Sequence, residues 1–110
     1  MIYLIASDLD GTLLHPTGQL PPDMFDRIRA MNRRGVRFAA ASGRPFGNVR
    51  KMFAPVENEM DFICENGALV VAQGKQYASY FPREMAEESS AIFRPAAWSC
   101  ISACRSRAMA

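Results

Sequence analysis

Two aspartates separated by one leucine follow directly after an apolar run near the start of the chain. The run is Ile2–Ala6, and the acids are Asp8 and Asp10 of the stretch DLDGTLL. A short apolar run that ends in a polar turn predicts a buried strand. Carboxylates at the end of a buried strand are costly to place without partners. Any fold of this chain must therefore give these acids hydrogen bonds, cations or solvent.

Length and composition suit one small globular domain. The chain has 110 residues, of which 49% are hydrophobic and 22% are charged, which is ordinary for such domains. No apolar run approaches the roughly 20 residues that span a bilayer, and the N-terminus lacks the basic region of a signal peptide. Three cysteines are too few for a disulfide framework. We therefore expect a cytoplasmic protein with no membrane partner.

The final 22 residues differ from the rest of the chain. Residues 1–88 carry a net charge of −1, whereas residues 89–110 carry +3 and lack Lys, Asp, Glu and Gly. Three arginines without interleaved aromatic residues make a weak nucleic-acid site, so no nucleic-acid partner is expected. Cys100 and Cys104 have no second cysteine pair or nearby histidine, which argues against zinc. The abrupt change predicts an atypical tail that is frame-shifted or disordered.

Strands and helices alternate along the predicted structure. The predicted elements are a strand over 2–7, a helix from the Pro21-Pro22 pair to Gly35, a strand over 36–41, a helix from Pro45 to about Phe53, a strand over 61–64, and a hairpin over 68–81 with its loop at 73–75. This order predicts the α/β class, with a parallel sheet, right-handed crossovers and a β-hairpin.

The acidic pair has the chemistry of phosphoryl transfer. Loops gather and ligands bind at the carboxyl ends of parallel strands, where Asp8 and Asp10 are expected. One acid can attack phosphorus as a nucleophile, and the other can transfer protons. Both offer the hard oxygen ligands that magnesium prefers. Gly11 permits a tight turn, and Thr12 adds a hydroxyl and an N–H group.

A second polar turn follows the second predicted strand. Ser42-Gly43-Arg44 places a hydroxyl and free N–H groups just before a helix, where an anion can be held. If the first two strands are neighbours, Asp8 and Ser42 face one crevice. That arrangement would place a nucleophile on one loop and a phosphate-binding group on the next.

Structural interpretations compete with this functional one. Asp-x-Asp-Gly can be only a turn that caps a helix, and Ser-Gly-Arg is a common turn. A calcium loop is excluded because Leu13 stands where glycine is needed and Gln19 where glutamate is needed. His15 is interpreted as a loop residue and Cys64 as a core residue. The joint placement of both turns after successive apolar strands favours a site.

The same residues resemble a known family. Asp8–Leu14 resembles the first motif of the haloacid dehalogenase (HAD) superfamily phosphatases, and Ala41–Arg44 resembles their second motif. Glu65–Ala68 followed by a hairpin is similar to the Cof-type branch, which acts on sugar phosphates and other small phosphomonoesters. The resemblance covers roughly residues 1–88. It implies a partial Rossmann-like core over 1–82, and a truncated cap start with the atypical tail over 83–110.

The resemblance also implies a role for each matching residue. Asp8 would be the nucleophile and Asp10 the general acid/base. The Asp8 carboxylate and the Asp10 backbone carbonyl would bind Mg²⁺. The phosphoryl group of a small phosphorylated metabolite would be held by Thr12, Ser42, Gly43 and, reaching the substrate, Arg44.

The sequence departs from the family pattern after the second motif. Such enzymes also use a lysine and one or two aspartates from later motifs, whereas here no acid follows residue 88 and Lys75 precedes the expected cap. Two hypotheses therefore stand. One is a Mg²⁺-dependent phosphatase that acts through an aspartyl-phosphate; the other is an inactive N-terminal fragment that at most binds phosphate or a partner chain. The incomplete sheet would also leave an exposed edge through which the chain could self-associate.

Overall fold

A five-stranded sheet organises the computed structural model, which describes residues 1–93. The elements in chain order are β1 (Leu4–Asp8), α1 (Met24–Arg33), β2 (Arg37–Ala41), α2 (Phe46–Met52), β3 (Asp61–Cys64), β4 (Leu69–Ala72), β5 (Lys75–Ala78) and α3 (Arg83–Phe93). The strand order is β1-β2-β3-β4-β5; β1, β2 and β3 are parallel, and β4 and β5 are antiparallel. The predicted α/β class, with a partial parallel sheet and a hairpin, is confirmed.

The chain divides into two compact units. The first, Met1–Ala78, holds the sheet with α1 and α2, and the second begins at Ser79 and holds α3. Within α3, Arg83 Nε lies 3.0 Å from Glu87 Oε1. The predicted boundary after residue 82 stays a prediction, and the predictions for the tail cysteines and arginines concern residues outside the described part of the chain. None of the helices in the described part of the chain is long and apolar enough to cross a membrane.

The hairpin is tighter than its sequence predicts. Its second strand begins at Lys75 and ends at Ala78, so the predicted extension to Phe81 is wrong. The loop contains only Gln73 and Gly74, with φ of +52° and +78°. Positive φ at both loop positions matches the right-handed twist of the flanking strands and permits a two-residue connection. The pairing of Ala72 with Lys75 therefore closes the hairpin directly.

The first helix also begins later than predicted. The Met24 N–H donates to the Pro21 carbonyl at 3.1 Å, so a separate turn precedes α1. Pro45 likewise lies just before α2, which begins at Phe46. Proline fits before a helix because its missing N–H would have no partner inside the first turn.

The core of the first unit is centred on Phe53. This ring is fully buried and lies 6.4 Å, between centroids, from the rings of Phe25, Phe38 and Phe62. Cys64 is fully buried, as predicted. The other buried members of the cluster are Leu9, Leu14, Met24, Ile28, Ala40, Val49, Val56 and Met60. The core thus joins both helices to the sheet beneath the acidic turn.

A charged network joins β2, β3 and the β4–β5 loop at the amino end of the parallel sheet. Asp61 is 8% exposed and accepts hydrogen bonds from Arg37 Nε at 3.2 Å and from the Gln73 N–H at 2.9 Å. Burial raises the pKa of Asp61, but the hydrogen bonds from Arg37 and Gln73 and the Arg37 charge outweigh it. The net pKa of Asp61 in the folded state therefore lies below its ordinary value.

Asp61→Asn is expected to lower the free energy of unfolding by about 1–3 kcal/mol at neutral pH, because it removes the charged acceptor of Arg37. A lowered folded-state pKa gives stability that is present above the unfolded pKa and is lost as pH falls through the folded one. The difference between wild type and variant should therefore shrink as the pH falls below about 4. Urea denaturation at several pH values measures it, with the exposed Asp26→Asn as control. A difference that is constant with pH would contradict this account.

Candidate active site

The register of β1 against β2 brings the two predicted turns together. Asp8 is the register partner of Ala41, so the chain leaves both strands at the same edge of the sheet. The Ser42 N–H donates to the Ile63 carbonyl at 2.8 Å, which continues this edge to β3. The expectation that the first two strands are neighbours is confirmed. Turns that follow β1, β2 and β3 therefore gather at the carboxyl end of the parallel sheet.

The acidic turn is anchored by the leucine between its two acids. Leu9 is fully buried, and its carbonyl accepts from the Leu14 N–H at 2.9 Å, which closes the turn. Gly11 has φ of +77°, a conformation that glycine adopts without strain. The Asp8 carboxylate accepts from the Leu9 N–H at 2.8 Å, while Asp8 and Asp10 themselves are exposed. Burial of the leucine thus fixes the turn and leaves both acids accessible.

An open cavity of about 290 Å³ lies between the turns. Its lining residues are Asp8, Ala41, Ser42, Gly43, Ile63, Asn66 and Gly67. Ser42 is 8% exposed, and its Oγ accepts from the Arg44 N–H at 3.0 Å, which shapes the second turn. Three of the predicted site residues, Asp8, Ser42 and Gly43, are therefore in one cavity.

Asp10 and Arg44 form an ion pair that joins the first turn to the second. Arg44 Nε donates to Asp10 Oδ2 at 2.9 Å, and a second guanidinium nitrogen donates to Oδ1 at 2.6 Å. Hydrogen bonding and charge attraction from Asp10 raise the pKa of Arg44. Both residues line a neighbouring depression of about 530 Å³ with His15, whose Nδ1 lies 2.9 Å from Thr17 Oγ1. The predicted contact of Arg44 with substrate stays a prediction.

Thr12 lies apart from the other predicted phosphate-binding residues. It is exposed and lines a separate depression with Leu13 and His15, rather than the cavity of Asp8 and Ser42. The geometry of this structure therefore does not support phosphate binding by Thr12, and that role stays a prediction.

Asn66 belongs to the cavity but was not among the predicted site residues. A Cβ built on Gly43 would lie 2.9 Å from Asn66 Oδ1, so the amide packs closely against that glycine. The sequence signal was a polar residue in the turn after the third parallel strand, at the same edge as the other two turns. The sequence indicates a turn and a family motif there, but it assigns no role to the Asn66 side chain itself.

The oxygen donors present suit a hydrated magnesium ion. The Asp8 carboxylate and the Asp10 backbone carbonyl, the ligands that the resemblance implies, would offer hard oxygen donors, and Asp8 is exposed. In the part of the chain that the structure describes, no three His, Cys, Asp or Glu side chains converge on one metal position. Magnesium commonly keeps several waters and binds through one or two carboxylates and substrate phosphate. The site therefore fits the ion with water or substrate in most of its coordination positions.

A match to a family model shows which family this chain belongs to. Residues 5–108 match the model for haloacid dehalogenase-like hydrolases. The chain belongs to this family. It is 37% identical over 75 residues to the Escherichia coli K12 protein named 5-amino-6-(5-phospho-D-ribitylamino)uracil phosphatase YbjI, and this match covers 67% of the chain and 28% of the relative. It is also 37% identical over 73 residues to the putative phosphatase YxeH of Bacillus subtilis 168, covering 64% of the chain and 27% of that relative.

Solved structures share the fold of this chain. The protein SMU.1108c of Streptococcus mutans UA159 superposes with a TM-score of 0.74 at 27% identity, covering 90% of the chain and 38% of that structure. A haloacid dehalogenase-like hydrolase of B. subtilis gives 0.71 at 27% identity, covering 84% and 33%. The chain therefore spans little more than a quarter of these curated relatives and about a third of these two solved structures.

Gly43→Ala tests the close packing at the cavity. The new methyl group would meet the amide of the exposed Asn66 side chain, so we expect a loss of about 0.5–1.5 kcal/mol in the free energy of unfolding, as for a side chain forced off its rotamer. Gly47→Ala is the matched control, because a Cβ there meets no atom within 4 Å and alanine favours the helix. Thermal and urea unfolding measure both variants. Equal stability of the two variants would contradict the packing described.

Proposed function

We propose that this chain carries the nucleophile half of a phosphatase site for small phosphomonoesters such as sugar phosphates. The observation that carries the proposal is the shared cavity of Asp8, Ser42 and Gly43 at the carboxyl edge of parallel strands. The phosphatase names of the relatives support it, and one of these names specifies a phosphorylated ribityl compound.

The proposed reaction has two steps. In the first, an Asp8 carboxylate oxygen attacks phosphorus, the ester P–O bond breaks, and Asp10 gives its proton to the leaving alcohol. In the second, Asp10 takes a proton from water, whose oxygen attacks the aspartyl-phosphate; inorganic phosphate leaves and the Asp8 carboxylate is restored. The two acids thus divide nucleophilic and proton-transfer work within one turn.

Neighbouring groups would orient the reactants. The Ser42 hydroxyl faces the same cavity as Asp8 and can donate to a phosphoryl oxygen. Arg44 binds both carboxylate oxygens of Asp10, so this exposed ion pair must open before Asp10 can carry and transfer a proton. Mg²⁺, when bound to the Asp8 carboxylate and the Asp10 carbonyl, would supply positive charge against the phosphoryl oxygens.

For the 110-residue chain by itself, we propose binding of phosphate without turnover. The chain's two lysines, Lys51 and Lys75, lie in α2 and β5 and do not line the cavity. Among residues 1–93, no arginine or histidine side chain lines it either, although phosphoryl transfer depends on neutralising the charge of the transferring group. We place the full activity in the longer form that the relatives have, and we propose a cytoplasmic location, since three cysteines are too few for a disulfide framework.

Phosphate release from an aryl phosphate, with magnesium, tests this function. The chain should show no turnover that depends on Asp8, yet its Tm should rise with magnesium and inorganic phosphate. Ligand at 100 times its Kd adds about 2.7 kcal/mol to stability. Asp8→Asn should abolish the Tm rise, while the remote Asp26→Asn should retain it. Turnover that Asp8→Asn abolishes would show an active enzyme, and an unchanged Tm in wild type would contradict the half-site.

We further propose that the edge of β1 pairs with a second copy of the chain. Among the described strands, β1 ends the sheet, and the side chains of Ile2, Tyr3, Leu4 and Ile5 are each at least 41% exposed. Residues 2–7 carry no charged side chain or proline to discourage pairing, whereas the opposite edge strand begins with Lys75. An antiparallel partner would place the two Asp8 carboxylates at opposite ends of the pair.

Sedimentation at increasing protein concentration tests this association. Wild type should shift from monomer to dimer, and Leu4→Lys should remain monomeric because it places a charge on the pairing edge. Tyr77→Lys is the control, since Tyr77 is 56% exposed on the opposite edge and should leave the dimer intact. If wild type remains a monomer at every concentration, the proposed pairing of β1 with a second copy is contradicted. The edge of β1 would then be available to pair with a further strand of a longer chain.

A further inference from the structure

The turn after β3 holds two consecutive non-glycine residues in the left-handed region. Glu65 has φ of +54° and Asn66 has φ of +57°, and Gly67 follows at +92°. Such conformations are unfavourable for non-glycine residues and persist only where the surroundings fix them. They concentrate at active sites and ligand clamps, so this turn is a candidate for a functional role.

Two backbone hydrogen bonds fix this turn against the Ser-Gly-Arg turn. The Glu65 N–H donates to the Arg44 carbonyl at 3.1 Å, and the Asn66 N–H donates to the Ser42 carbonyl at 3.3 Å. The strained segment is therefore attached to the residues on either side of Gly43. Its position relative to the cavity is set by the same strand edge that positions Asp8.

The Asn66 side chain occupies the space left by the missing Cβ of Gly43. The position of that Cβ lies 2.9 Å from Asn66 Oδ1, 3.5 Å from Cγ and 3.6 Å from Nδ2. Any larger residue at position 43 would displace the amide. Gly43 thus keeps the Asn66 amide at the wall of the cavity that Asp8 and Ser42 also line.

Hydrogen-bond donors are scarce in this cavity. Of its lining side chains, the Ser42 hydroxyl and the Asn66 amide can donate, whereas the Asp8 carboxylate only accepts. The other lining residues are Ala41, Ile63 and two glycines. An anionic phosphoryl group beside Asp8 needs N–H and O–H donors around its oxygens. Among the described lining residues, the amide is therefore the second side-chain donor, beside the Ser42 hydroxyl, for a bound anion.

We propose that Asn66 is a further substrate-binding residue, whose side-chain amide donates to the phosphoryl group held beside Asp8. This inference rests on the proposed function, because it requires phosphate in the cavity. A purely structural role is the competing explanation, since asparagine tolerates the left-handed conformation better than most residues.

Asn66→Gly separates the two explanations. Glycine keeps the left-handed backbone without strain and removes only the amide. The variant should keep or raise the Tm of wild type, while its affinity for inorganic phosphate in the presence of magnesium should fall about tenfold, as for loss of a hydrogen bond to a charged group. Isothermal calorimetry or a phosphate titration of the Tm measures the affinity.

Gln73→Gly is the matched control. Gln73 is also a non-glycine residue at positive φ, +52°, but it lies in the β4–β5 loop and not in the cavity lining. The hydrogen bond that the Gln73 backbone N–H donates to Asp61 does not depend on the side chain, so the substitution retains it. Relief of the left-handed strain should be similar in both variants, whereas phosphate affinity should fall only in Asn66→Gly.

Asn66→Asp provides a second variant if the glycine change disturbs folding. Aspartate retains the shape and the tolerance of positive φ, but an ionised carboxylate cannot donate and repels the anion. It should lose more affinity than Asn66→Gly. Wild-type affinity in both variants would overturn the inference and leave the proposed function standing. Absence of phosphate binding by wild type itself would overturn both.

Discussion

Parallel pairing of β1 with β2, in the register that sets Asp8 beside Ala41, is the constraint on which the site depends. Successive residues of a strand point to opposite faces of the sheet, so a shift of one residue would turn the acidic pair toward the other face. In the observed register, the turns after β1 and β2 leave the sheet at the same edge. Backbone hydrogen bonds then join the turn after β2 to the turn after β3. The chemistry of the site is therefore a consequence of strand pairing rather than of any single side chain.

The two ends of the parallel sheet use ion pairs differently. At the amino end, the largely buried Asp61 accepts hydrogen bonds from Arg37 and from the Gln73 backbone, which ties β2 and β3 to the β4–β5 loop. At the carboxyl end, Asp10 and Arg44 are exposed, so their pair is screened by water and contributes little to stability. A weakly stabilising pair can reorganise when an anion arrives. The structural end of the sheet is thus fixed, and the functional end is held by weaker contacts.

The sequence predicts the local features of this fold well. Apolar runs and glycine or proline punctuation identify the α/β order, and the third strand, Asp61–Cys64, has the predicted bounds. The end of the hairpin was missed because Tyr77 to Phe81 have strand-forming residues, yet pairing with β4 stops at Ala78. Local composition carries no information on where a tertiary partner ends.

Contacts between distant turns were beyond sequence reasoning for a similar physical reason. Asp10 and Arg44 are 34 residues apart, and nothing in the spacing shows that the guanidinium holds this acid. Asn66 enters the cavity only because two strained residues are tied to the second turn. Motifs therefore identified Asp8 and Ser42, whereas the residues between the motifs required the folded geometry.

The central claim is that an anion binds between the three turns at the carboxyl edge of the sheet. Amide chemical shifts of the labelled chain, followed during titration with inorganic phosphate and magnesium, test this claim most directly. The account predicts saturable shifts at the turns after β1, β2 and β3, centred on Asp8, Gly43 and Asn66, with the β4–β5 hairpin unchanged. Shifts confined to other surfaces, or no saturable shifts at these turns, would contradict it.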